Sequence, residues 1–147
     1  GQHDLAAVTD FLDQARHNPQ ALVCGYPVYD QTVPLARLWG RELTNFWVHV
    51  NTRSKALKDA MCGFRVYPIA QTLPVLPSVR TRRMDFDPDI AVRLLWAGVP
   101  VINRPVRVTY PKDGISHFRG FSDNMRISRL HAGHFCTMLL RRMGLAK

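Results

Sequence analysis

The chain has 147 residues, 46% of them hydrophobic, which is enough for one compact domain with a buried core and excludes a disordered or fibrous protein. Its 20 lysines and arginines against 11 acidic residues give a net charge of +9, which favours a polyanionic partner such as nucleic acid, an anionic membrane surface or a diphosphate. No apolar run approaches the roughly 20 residues of a membrane-spanning helix. Three widely spaced cysteines indicate neither a disulfide framework nor a structural zinc site, so a reducing cytoplasm is the simplest compartment.

The first third of the chain predicts a helix, a buried strand and a longer helical region. Apolar residues recur every three or four positions over residues 4–17, which predicts a helix. Residues 21–26 are typical of a buried strand, and residues 33–59 of one long helix or two consecutive ones. In that region Arg37 and Arg41 lie one turn apart, so the two side chains could bind an anion together.

The rest of the chain alternates strands with helices, which predicts a mixed α/β fold in a single domain. A helix is predicted over residues 87–97 and ends at Gly98, and strands are predicted at 64–69, 99–102 and 104–110.

Two further segments carry much of the positive charge. Residues 70–84 contain two prolines and three arginines and predict a mobile basic loop, either a solvated charge run or a gate over a diphosphate. A last helix is predicted from Ser122 or Asp123 to about Met143. Within residues 121–147 it could lie on a membrane surface or pack against another part of the protein.

The segment 59–68 combines a carboxylate, a glycine and an arginine at the start of a predicted strand. Asp59, at the end of a helix, would lie at the lip of a pocket, and Gly63 would permit a tight turn or the close approach of a ligand. Arg65 would be held rigidly by the strand in a position to bind phosphate. The alternative is a plain connection from helix to strand with a solvent-exposed arginine.

Four blocks of the sequence resemble motifs of the family 2 glycosyltransferases, in the branch similar to dolichyl-phosphate mannose synthase. The block from Asp59 to Arg65 resembles the Asp-x-x-x-Gly-Phe-Arg signature, and Gly1-Gln2-His3-Asp4 resembles the residues that directly follow the family's Asp-x-Asp motif. The other two blocks are Phe86 to Ile90 with the downstream Arg104-Pro105-Val106, and Tyr110 to Arg119. All four occur in the family's order over nearly the whole chain.

The resemblance implies a GT-A fold, a mixed sheet flanked by helices, of which this chain is the C-terminal, acceptor-side portion. It places Gly1 just after the Asp-x-Asp, so that both metal-binding aspartates would lie before the chain begins. Gln2 matches a position that completes the shell of a divalent metal, Mg²⁺ or Mn²⁺, and needs those aspartates to do so. We therefore expect a transferase that is incomplete as this chain alone.

The resemblance also implies roles for individual side chains. Asp59, Asp85 and Asp87 are candidate catalytic bases, and the sequence does not rank them. Arg65 is expected to bind a phosphate of donor or acceptor, and His117 and Arg119 lie in a loop similar to one that closes over the donor phosphate. The implied donor is a nucleotide-sugar and the acceptor a lipid phosphate or membrane glycoconjugate, with peripheral contact at the inner face of the cytoplasmic membrane.

Two other classes of protein fit parts of the sequence. The net positive charge would suit a non-catalytic module that binds nucleic acid. Against this class, the aromatic residues fall within apolar helical patterns and are not interleaved with basic residues, as bases stacking on aromatic rings would require. A scaffold that keeps the fold without catalysis is the third class. His131 and His134 are spaced as possible metal ligands on the last helix, yet no Cys, Asp or Glu follows to complete a site. They are interpreted as surface or core residues.

Overall fold

The computed structural model describes residues 5–29, 33, 35–108 and 120–145, with only the backbone described for residues 35–37 and 120. Helices and strands alternate through these ranges and confirm the predicted mixed α/β class. The helices are α1 (Ala7–His17), α2 (Leu35–Thr52), α3 (Ile69–Thr72), α4 (Phe86–Trp96) and α5 (Gly120–Arg142), and the strands are β1 (Leu22–Tyr29), β2 (Arg65–Val66) and β3 (Val101–Val108).

The described strands form one sheet in the order β2-β1-β3, with β1 in the middle. β1 runs parallel to β3, with Leu22 opposite Val101, and antiparallel to β2, with Cys24 opposite Arg65. Because β1 and β3 are parallel, their carboxyl ends lie at the same edge of the sheet.

Helices cover both faces of the sheet, and the alternation of β1 decides which residue meets which helix. Leu22 and Cys24 point to the face covered by α2 and α4, where the larger core cluster lies. Val23 points to the opposite face and packs with Phe11 of α1 and Val106 of β3. α5 packs against α2 and α4. Side chains at the start and centre of β1 are therefore covered by helices on both faces of the sheet.

Helix α2 ends earlier than predicted, at Thr52 and not near Asp59. Arg53 adopts a left-handed backbone conformation with φ of 52°, which stops the helix. The Ser54 hydroxyl then accepts a hydrogen bond from Ala56 N at 3.1 Å, and the chain continues as an irregular segment up to β2.

Two predicted strand boundaries also differ from the structure. The strand predicted at 64–69 forms only over Arg65–Val66, because Pro68 has no N–H to donate and Ile69 begins α3. The two strands predicted at 99–102 and 104–110 are one continuous strand, β3, which includes Pro105. β3 is an edge strand of the described sheet, where proline is tolerated.

The basic segment 70–84 is more ordered than a loop. It contains most of α3 and a 3₁₀ turn at Leu76–Ser78. The side chains of Arg80, Arg82 and Arg83 are exposed after this turn, and Arg83 Nε lies 3.5 Å from Asp123 Oδ1 of α5.

Gly25 lies in the middle of β1 where the backbone has no room for a side chain. A Cβ at this position would lie 3.0 Å from Phe64 O and 3.1 Å from Cys62 Sγ, closer than ordinary contacts. We expect Gly25→Ala to lower the free energy of unfolding by about 1–3 kcal/mol, measured by urea denaturation. Gly133→Ala in α5 is the matched control, because a Cβ there has no neighbour within 4 Å and alanine favours the helix. Equal stability of the two variants would contradict the crowding at Gly25.

A buried polar cluster joins α5 to α2 and α4. His131 and His134 of α5 are 4% and 2% exposed, so both belong to the core. His134 Nε2 lies 2.9 Å from Asp89 Oδ1 of α4, and the Asn51 amide of α2 lies 3.4 Å from the carbonyl of His131. Burial would raise the pKa of Asp89, but hydrogen bonds from His134, Arg93 and Thr81 outweigh burial and lower it.

Acid is expected to loosen this cluster through His131. Burial and the nearby charge of His134 lower the pKa of His131 to about 4, and its Nε2 has no hydrogen-bond partner among the described residues. The unfolded chain therefore binds more protons than the folded one between about pH 6.5 and pH 4. Across that window, acidification should remove up to about 3 kcal/mol of stability.

The measurement is urea denaturation of wild type and His131→Gln at several pH values within that window. His131→Gln should show a shallower loss of stability as the pH falls. His17→Gln, an exposed histidine of α1, serves as the control and should keep the wild-type slope. An unchanged slope in His131→Gln would rule out His131 as the source.

Candidate functional site

Helix α2 holds the segment 57–62 through polar side chains at every fourth position. Arg41 Nη1 lies 2.6 Å from Asp59 Oδ1, and the Asn45 side-chain oxygen accepts a hydrogen bond from Ala60 N at 2.9 Å. One turn further, His49 Nε2 donates to Leu57 O at 2.9 Å. This spacing places the three side chains on one flank of the helix, so the irregular segment before β2 has a fixed position.

Asp59 forms the centre of a turn and does not lie at the lip of a pocket. Its Oδ1 accepts hydrogen bonds from Met61 N at 2.9 Å and from Cys62 N at 2.7 Å, in addition to the contact with Arg41. Its side chain is 4% exposed. In this geometry the carboxylate of Asp59 stabilises the turn, and the guanidinium of Arg41 is engaged with it.

The side chain of Arg65 is fully buried, with 0% exposure. Its nitrogens donate to three carbonyl oxygens: Nε to Cys62 O at 2.8 Å, Nη1 to Asp87 O at 2.9 Å and Nη2 to Ala60 O at 2.7 Å. The side chain of Arg65 is therefore held rigidly, as expected. It is not solvent-exposed, as the alternative of a plain helix-to-strand connection required, and its buried guanidinium offers no surface to a phosphate. It ties the turn before β2 to the start of α4 and positions both.

Asp87 is the accessible carboxylate of this region. Its side chain is 32% exposed, its Oδ1 lies 3.8 Å from Arg65 Nη1, and its Oδ2 lies beside the exposed backbone of Gly63. Burial raises the pKa of Asp87, the charge of Arg65 lowers it and that of Asp59 raises it, with a net rise above its ordinary value. A partly exposed carboxylate with a raised pKa has the properties of a general base.

The other acidic side chains near α4 are more enclosed. Asp85 is 7% exposed and accepts a hydrogen bond from Arg83 N at 3.2 Å. Asp89 is 1% exposed, and its carboxylate contacts His134 in the polar cluster that joins α5 to α4. Of the three candidate bases, Asp59, Asp85 and Asp87, the structure leaves Asp87 the most open to a substrate.

The two buried cysteines near Arg65 are unsuited to nucleophilic catalysis. Burial raises the pKa of Cys24 to about 11, although the charge of Arg65 lowers it. Burial also raises the pKa of Cys62. Both therefore remain thiols at neutral pH, and the thiolate is the reactive form.

The turn around Asp59 lies towards the carboxyl end of β1. The guanidinium of Arg41 stacks 5.7 Å from the ring centre of Tyr29, the last residue of that strand. The turn around Asp59 therefore lies near the edge where β1 and β3 end. In open α/β sheets this edge is the usual place for a ligand.

Several predicted site residues lie outside the part of the chain that the structure describes. These are Gln2, His117 and Arg119, together with the side chain of Arg37. Within the described ranges, no group of three or more His, Cys, Asp or Glu side chains could hold a metal ion. The described residues therefore offer no ligand set for the implied Mg²⁺ or Mn²⁺.

Sequence reasoning missed two residues that contact the turn around Asp59 or the side chain of Arg65. Asn45 could have been found, because it follows Arg41 by one turn on the flank of α2. Tyr67 hydrogen-bonds to the side chain of Arg65, and burial raises its pKa. Its position two residues after Arg65 puts it on the same side of the strand, which is the only sequence signal for this contact.

Comparison with known proteins adds no relative: no family model, no curated protein and no solved structure matches this chain.

Proposed function

We propose that the protein is a family 2 glycosyltransferase of the GT-A type that transfers a sugar from a nucleoside-diphosphate sugar to an acceptor. The observation that carries the proposal is the Asp87 carboxylate, which is accessible, has a raised pKa and is positioned by Arg65 near the carboxyl edge of the sheet. The four sequence blocks that resemble this family support the same reading. The acceptor is a polyprenyl phosphate or a membrane glycoconjugate, reached at the inner face of the cytoplasmic membrane.

Asp87 acts on the acceptor or on the sugar, depending on the acceptor's charge. With a hydroxyl acceptor, the carboxylate takes the hydroxyl proton while the oxygen attacks the anomeric carbon and the nucleoside diphosphate leaves. An ionised lipid phosphate needs no base, and Asp87 then accepts a hydrogen bond from a sugar hydroxyl. In both cases the exposed backbone of Gly63 leaves room for a substrate beside the carboxylate.

The metal belongs to this proposal through the resemblance alone. A divalent ion would stabilise the negative charge of the departing diphosphate. Because the described residues provide no ligand set, its binding would depend on Gln2 and on residues outside the described ranges.

The test is a transfer assay with the protein purified from its native host. Labelled nucleoside-diphosphate sugars are offered with polyprenyl phosphate in vesicles and, separately, with hydroxyl-bearing glycolipids, each with Mg²⁺, with Mn²⁺ and with a chelator. Transfer from at least one donor is the expected result. Absence of both transfer and donor binding, together with salt-sensitive binding of oligonucleotides, would favour the nucleic-acid module instead.

A further inference from the structure

Helix α2 carries a second apolar stripe that faces away from the core. Trp39, Leu43 and Phe46 follow the spacing i, i+4, i+7 and are 76%, 60% and 56% exposed. Val48, on the opposite side of the helix, is 1% exposed and belongs to the main core cluster. An amphipathic helix needs only one apolar stripe to pack in a domain, so the outward stripe is available to a partner.

Helix α5 has an outward apolar stripe of the same kind. Its inward side carries the buried Ile127, His131 and His134. Its outward side carries exposed apolar side chains in two groups spaced by four residues, Phe121 and Met125 near its start and Phe135, Leu139 and Met143 near its end.

A chain of ring contacts joins the two stripes. Phe46 lies 5.6 Å from Trp47 between ring centres, and Trp47 lies 6.3 Å from Phe135 of α5. The stripe of α2 and the exposed apolar residues in the second half of α5 therefore form one continuous surface, which we call the two-helix face: Trp39, Leu43, Phe46, Phe135, Leu139 and Met143. Soluble monomers seldom expose so wide an apolar surface unless it binds something.

Cationic side chains border the two-helix face. Arg53 and Lys55 are exposed just after α2 and line a groove of about 520 Å³ together with Phe46. On α5, Arg126, Arg129 and Arg142 are exposed. Among the described residues of this groove the only acidic one is Glu42. The rim of the two-helix face is thus strongly positive. A partner that matches this face would have an apolar interior and negative charge at its surface.

We propose that the two-helix face lies flat on an anionic lipid surface, with the aromatic side chains at the boundary of the acyl chains and the arginines at lipid phosphates. This inference rests on the proposed function, because a lipid-held acceptor requires the enzyme to contact the membrane surface. A second copy of the chain is a poorer occupant, since each copy carries a formal charge of +9 and the same basic rim. In the described part of the chain, no helix is long and apolar enough to cross a bilayer.

The test measures sedimentation with vesicles of phosphatidylcholine alone and of phosphatidylcholine mixed with phosphatidylglycerol. Wild type should bind the mixed vesicles and bind neutral ones weakly. Trp39→Gln/Phe46→Gln should bind the mixed vesicles at least tenfold more weakly, because the apolar contribution is lost. The matched control is Ile69→Gln/Leu73→Gln, which removes two exposed apolar side chains elsewhere and should bind like wild type.

A second pair of variants tests the basic rim. Arg126→Gln/Arg129→Gln should weaken binding about tenfold or more, whereas Arg16→Gln/Arg104→Gln, which changes two arginines at α1 on the opposite face of the sheet, should not. Equal losses in test and control variants would overturn the proposal, since they would show only a general charge effect. No vesicle binding, combined with self-association that Trp39→Gln/Phe46→Gln abolishes, would overturn it in favour of an interface between copies.

The outcome for docking can be separated from the outcome for catalysis. Vesicle binding by the two-helix face without transfer from any donor would refute the proposed function and support the docking surface. Transfer to a water-soluble acceptor without vesicle binding would support the function and overturn the docking surface.

Discussion

Replacing Arg65 by methionine is expected to lower the free energy of unfolding by about 3–5 kcal/mol. Methionine has a comparable length but no donor, so the carbonyl groups of Cys62, Ala60 and Asp87 would lose their partner inside the protein. Domains of this size are stable by only about 5–15 kcal/mol, so this loss is a large fraction of the total stability. Urea denaturation followed by circular dichroism measures the loss.

The matched control is Arg104→Met. Arg104 makes a two-point ion pair with Asp10 at 2.7 and 2.8 Å, but both side chains are 38% exposed, so the pair should contribute no more than about 1 kcal/mol. Arg65→Lys should also be strongly destabilised, because one ammonium cannot reproduce the planar fork that serves three carbonyls. If Arg65→Met and Arg104→Met lose similar stability, the carbonyl contacts of Arg65 do not hold the turn.

Asp87→Asn should lower transfer by about 10²- to 10⁴-fold if Asp87 is the base for a hydroxyl acceptor. The substitution should leave the fold intact for two reasons. Arg65 binds the backbone carbonyl of Asp87, which asparagine retains. A carboxyl whose pKa is raised by folding also opposes folding once it is ionised, so its neutral replacement should reduce stability little.

The pH profile provides a second measure of this role. Because only the ionised carboxylate accepts a proton, wild-type kcat/KM should fall as the pH drops through the raised pKa of Asp87, and Asp87→Asn should lack that limb. Asp13→Asn, an exposed residue of α1, should behave like wild type. Near-normal turnover of Asp87→Asn, with the acid limb preserved, would mean that another group is the base.

Sequence patterns anticipated the kinds of element well where the periodicity was strong. Apolar spacing predicted α1 and α4 to within a few residues, and the buried run 21–26 predicted most of β1. Boundaries set by single residues were harder. The end of α2 depends on the left-handed conformation of Arg53, which is unusual for arginine and has no sequence signal.

The burial of Arg65 shows why the candidate site was only partly predictable. The alternation from Phe64 to Tyr67 correctly indicates that Arg65 and Phe64 lie on opposite faces of the sheet. It cannot show that both faces are covered by helices, which depends on contacts between distant parts of the chain. Asp87 was a candidate from its motif, yet its proximity to Arg65 and Gly63 arises only when α4 packs beside the turn.

The pairing of β1 with β3 has a consequence for synthesis of the protein. Leu22 lies opposite Val101, so β1 is synthesised well before β3, the strand with which it forms most of its pairing. Until then, β2 with its two residues is the only strand of the described sheet that can pair with β1, and the apolar edge of Leu22, Val23 and Cys24 stays open to other chains. Such long-range parallel pairing folds slowly, so nascent chains should depend on chaperones that shield this strand.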